Sequence, residues 1–169
     1  MRELMPVAEK VAAKLVEAKQ TIAVAESSAG GLISAALLAV PGASRYFMGG
    51  AVVYTRHARR LLLDLEGLAP GMRSSTEPYV RLHANRMRER FETTWGLAEA
   101  GAAGPVNAQG RGNSYGDAAG HSCLAVAGVT PRGKVEASMT LETGKGDRFE
   151  NMFLFTNAAL EFLLKQLTA

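Results

Sequence analysis

The sequence predicts an α/β protein, a three-layer α/β/α sandwich around a mixed sheet. Two observations carry this. Short apolar runs rich in β-branched residues alternate with segments whose apolar residues recur at a helical period. The 169 residues also suit one domain spanning 1–169, with no internal repeat and no interdomain linker. Hydrophobic residues make up 47% of the chain and charged residues 21%, as in ordinary globular proteins.

Taking the elements in order, residues 4–18 place Leu4, Ala8, Val11 and Leu15 on one helical face, with Glu3, Lys10, Lys14 and Glu17 outside it. Residues 21–25 have the length and β-branching of a buried strand. Ala29, Gly30 and Gly31 then lead into a helix of small and apolar residues over 32–38, closed by Val40-Pro41-Gly42. Residues 46–54 read as a strand, with Gly49-Gly50 marking a bulge or a close backbone approach. A helix over 56–63 and a turn at Pro70-Gly71 follow.

Thr76 is placed to cap the next helix, with Pro78 near its start and Val80, Ala84, Met87 and Phe91 as its apolar stripe. Arg81, Arg86, Arg88 and Arg90 lie off that stripe and read as a solvated face. Residues 95–100 form a strand, and 101–120 a long glycine-rich loop of the kind that is functional or disordered. Residues 121–127 and 134–141 make a hairpin, and 147–167 a final helix. The terminal helices are expected to bracket the sheet. Ligands of such folds bind beyond the carboxyl ends of strands, where the loops at 26–31 and 101–120 should lie.

Charge and cysteine usage narrow the function classes. Nineteen basic side chains face sixteen acidic ones, a net charge of +3. The pI of 9.2 comes without a concentrated basic patch, so no nucleic-acid partner is expected. The single cysteine, Cys123, excludes an internal disulfide and a multi-cysteine zinc site, and reads as a small buried hydrophobe. His57, His83 and His121 lack zinc-ligand spacing, so neither metal nor cofactor is expected. The charged amino terminus and the lack of a long apolar run predict a cytoplasmic address and no membrane partner. A homo-oligomer is left open.

The side chains able to do chemistry collect between residues 26 and 59. Glu26, Ser27, Ser28, Gly30 and Gly31 join a strand to a helix. Their backbone N–H groups could hold a phosphate or carboxylate, or the segment could be a plain turn capped by Ser27 or Ser28. Ser44 offers a hydroxyl on a turn, and Tyr54 and Arg59 bear on it only if they converge there. No nucleophile-elbow or S-x-x-K pattern is present.

The order of these pieces resembles the CinA carboxyl-terminal domain family, which includes the nicotinamide-nucleotide amidase PncC. The family's T-A-E-S-C-T-G-G stretch reads Val24-Ala25-Glu26-Ser27-Ser28-Ala29-Gly30-Gly31 here. Its P-G-S-S-x-x-F stretch is Pro41 to Phe47, and its G-x-V-x-Y-S-N-x-x-K stretch is Gly50 to Arg59. S-E-P appears as Thr76-Glu77-Pro78, G-I-A-G-P as Gly101-Ala102-Ala103-Gly104-Pro105, and G-D-R as Gly146-Asp147-Arg148.

The resemblance implies hydrolysis of nicotinamide mononucleotide to nicotinate mononucleotide and ammonia. Ser44 would be the nucleophile and Tyr54 its supporting hydroxyl, with a pyridine nucleotide or similar anion held near Gly30-Gly31 and Ala103-Gly104. Arg59 occupies the position of the family's lysine base. A desolvated lysine can take a serine's proton, whereas arginine keeps its own and has no acceptor. Lys10, Lys14, Lys19, Lys134, Lys145 and Lys165 all lie outside this segment. Ser28-Ala29 also replaces the family's Cys-Thr, and Asp117 to Gly120 replaces K-P-V-G. Together these departures predict a weakened or lost amidase. The alternative is a catalytically silent domain that binds a nucleotide-like ligand or a protein partner.

Overall fold

A computed structural model describes residues 1–105, 116–131 and 133–169. Of the glycine-rich stretch 101–120, residues 106–115 therefore lie outside the described residues. A five-stranded mixed sheet forms the middle layer. Its strands are β1 (Ile22–Glu26), β2 (Phe47–Val52), β3 (Trp95–Ala102), β4 (His121–Thr130) and β5 (Gly133–Glu142), in the spatial order β2-β1-β3-β4-β5. β1 runs parallel to both β2 and β3, whereas β3, β4 and β5 are successively antiparallel. Among the described residues five α-helices flank the sheet: α1 (Met5–Ala18), α2 (Leu32–Leu38), α3 (Arg56–Leu63), α4 (Glu77–Arg90) and α5 (Arg148–Thr168).

The alternation of buried side chains divides the core in two. On one face, Ile22, Val24, Leu97, Leu124 and Val126 meet Val11 and Leu15 of α1, Ile33 and Leu37 of α2, and Leu160 and Leu163 of α5. On the other, Ala23, Ala25, Ala98, Ala125 and Ala127 meet Leu63 of α3 and Val80, Ala84 and Met87 of α4. Alanines line this second face because α4 comes close. A Cβ on Gly96 would stand 2.0 Å from the Ala84 carbonyl oxygen. The terminal helices do not bracket the sheet: α1 and α5 pack on each other on the same face, pooling their apolar stripes.

Two local expectations change character. A register shift opposite Ile22 and Ala23 puts an irregularity in β2 just before Gly49, as the glycine pair suggested. The pair also admits close neighbours, since a Cβ on Gly49 would run into the Phe91 ring and one on Gly50 into the Ser34 hydroxyl. Phe91 thus ends α4 against the edge strand instead of joining the α4 stripe. Thr76 precedes α4 but makes no cap; its hydroxyl donates to the Arg73 carbonyl at 2.8 Å. No helix among the described residues is long and apolar enough to cross a membrane.

His83, on the α4 side of the sheet, is 2% exposed, packs at a tilt of 46° against Tyr79 with ring centroids 4.0 Å apart, and lies near the Arg59 charge. Burial, then the Arg59 charge, lowers its pKa to about 3. The folded value is below the unfolded one, so the folded state binds fewer protons between the two. Stability should therefore fall as pH drops from about 6.5 toward 3, by at most ~1.4 kcal/mol per pH unit from this group. Urea denaturation of His83→Leu should show a shallower acid limb than wild type across that window; identical limbs would count against a neutral buried imidazole.

Candidate functional site

A cleft opens beyond the carboxyl ends of β1, β2 and β3, where ligands of parallel α/β sheets are usually found. Ser27 and Ser28 form part of its lining, together with Tyr54, Ser74, Ser75, Tyr79, the segment from Gly101 to Pro105, and Arg148.

Two buried carboxyl groups under the cleft organise the turn after β1. Glu26, fully buried, accepts from the N–H groups of Gly31 (3.0 Å), Ile33 (3.0 Å) and Ser34 (2.9 Å) and from the Ser34 hydroxyl (2.6 Å). Glu99, in β3, accepts from the N–H groups of Ser27 (3.0 Å) and Ala29 (2.8 Å), and from the hydroxyls of Ser28 and Ser122. The N–H of Gly30 goes to the Ser27 carbonyl. The turn's N–H groups do receive carboxyl oxygens, but these belong to the chain itself. An external anion on Gly30-Gly31 would have to displace Glu26. The α2 cap is likewise Glu26, not Ser27 or Ser28.

Burial raises the Glu99 pKa, against which the bonds from Ser28, Ala29, Ser27 and Ser122 pull down. Glu99 was the site residue the sequence reading passed over. Its only signal was a lone carboxylate inside the apolar strand Trp95–Ala102.

Of the three residues assigned to catalysis, Ser44 and Tyr54 separate and Arg59 is engaged elsewhere. Ser44 is exposed on a 3-10 turn, Ala43–Arg45, ahead of β2. That turn is pinned under α2 by the buried Tyr46, whose hydroxyl donates to the Leu37 carbonyl. Tyr54 follows the other end of β2, so the strand holds the two about 20 Å apart. Arg59 is 7% exposed and donates to the carbonyls of Leu65 (3.2 Å) and Glu66 (3.4 Å). The partner of the Tyr54 hydroxyl is instead Arg148, at 2.9 Å, with the guanidinium 6.0 Å from the ring centroid.

Of the ligand-binding candidates, Ala103 and Gly104 do line the cleft, and both help to set Arg148. The Ala103 carbonyl accepts from the buried Asn151 at 2.7 Å, which ties the end of β3 to the first turn of α5. Asp147 caps that turn by accepting from the Glu150 N–H at 2.7 Å. A Cβ on Gly104 would come within 3.1 Å of the Arg148 Cβ. Ser27 and Ser74 line the cleft, and their hydroxyls make no hydrogen bond to another described residue.

Glu99 is open to a direct test. One of its oxygens takes both backbone N–H groups and the other both hydroxyls. Glutamine can keep all four, because hydroxyls rotate to accept from its amide. Glu99→Gln should stay within about 1 kcal/mol of wild type in chemical denaturation, whereas Glu99→Ala, which orphans four donors, should lose more than about 3 kcal/mol. Because the Glu99 pKa is raised on folding, its contribution becomes less favourable as pH rises from the ordinary carboxyl value through the folded one. That decline should vanish in Glu99→Gln. Two variants equally damaged would refute the assignment of donors.

Comparison with known proteins agrees with the fold. Residues 4–167 match the family model described as CinA C-terminal domain. A CinA-like protein of Synechococcus sp. (strain CC9902) is 42% identical over 115 residues, covering 68% of this chain and 26% of the relative. A CinA-like protein of Chlorobaculum tepidum is 33% identical over 160 residues, 94% of this chain and 37% of the relative. The chain thus spans between a quarter and two fifths of the length of these curated relatives. Among solved structures, the competence-damaged protein (CinA) superfamily protein from Enterobacter cloacae superposes with a TM-score of 0.83 at 26% identity, covering 97% of this chain and 92% of that one. The competence/damage inducible protein CihA from Agrobacterium tumefaciens gives 0.84 at 24% identity, covering 98% and 96%, and shares the fold.

Proposed function

Because the chain belongs to the CinA C-terminal domain family, we propose that its cleft binds a small anionic, nucleotide-like ligand without hydrolysing it through Ser44, Tyr54 and Arg59. The observation that carries this reading is the division of those three residues. Tyr54 stays at the cleft with Arg148, while Ser44 lies beyond the far end of β2 and Arg59 is engaged by two carbonyls.

The recognition chemistry follows from what remains available. Arg148 spends one guanidinium donor on Tyr54 among the described residues, which leaves its others for a phosphate or carboxylate. The exposed Tyr54 ring offers a face to a planar base. Ser27 and Ser74 supply hydroxyls that can turn either way to match polar groups on the ligand. Turnover would need a base within reach of a nucleophile, and Arg59 cannot serve as one.

One observation favours a second reading, amide hydrolysis of nicotinamide mononucleotide from the cleft floor. The Ser28 hydroxyl donates to Glu99, a buried carboxyl group whose raised pKa suits a proton acceptor. Against it, Ser28 is only 3% exposed and Glu99 already takes four donors.

Calorimetry and an ammonia assay on the purified chain separate the readings. Nicotinamide and nicotinate mononucleotides should bind, and Arg148→Ala should weaken binding about 10- to 100-fold. Ammonia release from nicotinamide mononucleotide should be absent. Turnover abolished by Ser44→Ala would overturn the proposal in favour of the family's serine, and turnover abolished by Ser28→Ala but not Ser44→Ala would establish the floor route.

A further inference from the structure

We propose that His121 is held as an imidazolium and that this charge positions the Ser74–Ser75 wall of the cleft. His121 opens β4 with its ring between two acceptors. Nδ1 lies 2.5 Å from a carboxylate oxygen of Glu142, and Nε2 lies 2.9 Å from the Ser75 carbonyl oxygen. Neither partner has a proton to give at neutral pH. A neutral imidazole carries one N–H, so it would leave one of these contacts lone pair against lone pair. Only the doubly protonated ring satisfies both.

Ser75 needs this tether. Its φ of 57° lies in the left-handed region, unusual for a residue other than glycine, and such backbone persists only where the surroundings fix it. Two side chains of β4 converge on its carbonyl: His121 Nε2, and the Cys123 thiol at 3.4 Å. On the amino side the segment is held by the Arg73–Asp117 ion pair at 2.8 Å and by the Thr76 hydroxyl on the Arg73 carbonyl.

The charged and titratable groups around the ring come from every neighbouring element. Glu142 of β5 is bonded to it directly, and Asp117, paired with Arg73, stands before β4. Cys123 lies 3.8 Å from Nε2, and burial raises its pKa, so it remains a thiol. Glu77 of α4 is engaged by the hydroxyls of Ser138 and Thr140. Burial by itself lowers the His121 pKa. The bond to Glu142, the Ser75 carbonyl and the charges of Glu142 and Asp117 outweigh it, and the net direction is upward.

The order in which contacts fail is also set. When the proton leaves, the one remaining N–H stays with the stronger acceptor, the Glu142 carboxylate. The Ser75 contact is therefore the one lost. With the folded value raised, the tether is complete below about pH 6.5 and disappears as pH rises through the folded value.

The structural part of this inference stands without a ligand; only its consequence for affinity rests on the cleft being the binding site. Nitrogen-15 spectra of the whole chain between pH 5.5 and 9.5 test the first part. Both ring nitrogens of His121 should be protonated at the acid end of this range, with a midpoint above about 6.5. The Ser74 and Ser75 amide resonances should move with that midpoint, and Glu142→Gln should lower it. A midpoint below about 6.5, Ser74 and Ser75 amides indifferent to it, or a midpoint unchanged in Glu142→Gln would each overturn the inference. Nicotinate mononucleotide affinity should then weaken about two- to tenfold above the midpoint. If that probe binds at no pH while the amides still follow His121, the ligand reading fails and the positioning role stands. If it binds with a pH-independent affinity while the amides follow His121, the consequence of the tether for binding is refuted.

Discussion

Two buried carboxyl groups, Glu26 and Glu99, hold the turn on which the cleft is built. Each draws together four donors, and seven of the eight come from residues 27–34. A strand-to-helix turn with two successive left-handed glycines would otherwise present several unpaired N–H groups. Burying a carboxyl group is costly unless its oxygens are satisfied, and burying orphan N–H groups is costly too. Here each removes the other's penalty. The arrangement also ties β1 to β3, because Glu99 reaches across from one strand to the turn that leaves the other.

The remaining geometry of the cleft is relayed from that turn to α5. Met152 of α5 sits against Gly30, where any Cβ would fall 2.5 Å from its Cε. Asn151 donates to the carbonyls of Ala103 and Lys145 and accepts from the Thr143 hydroxyl, fastening the start of α5 to the ends of β3 and β5. Arg148, one turn earlier, is consequently delivered to Tyr54. Two backbone positions without side chains, Gly30 and Gly104, let α5 approach closely enough for this.

Much of the fold was legible in the sequence because it depends on local pattern. The helical stripes of α1 and α4, the apolar run of β1 and the glycine pair in β2 all announce themselves within windows of about ten residues. The site was only partly legible, because it depends on contacts between distant segments. The motif from Glu26 to Gly31 marks a turn rich in N–H groups, but nothing local says that Glu99, seventy-two residues beyond Ser27, will occupy them. Ser44 and Tyr54 are ten residues apart and looked compatible with one site, yet the intervening strand β2 places one before its start and the other after its end. Arg148 stood inside a recognised motif without an assigned partner, since its contact with Tyr54 spans ninety-four positions. Ser75 gave no signal at all; its backbone conformation is fixed by two side chains from β4.

On the proposed reading of the cleft, these constraints bear on where an anion would sit. At most strand-to-helix turns the helix amino terminus draws negative charge. Here Glu26 already fills that position at α2, and Glu99 lies beneath the same turn, so the floor offers no unpaired cationic end. The cation facing the cleft among its lining residues is Arg148, at the rim and at the start of α5. A ligand carrying both a charged and a planar neutral part would therefore lie with its charge outward, on Arg148, and its neutral ring over Tyr54 or toward the serines.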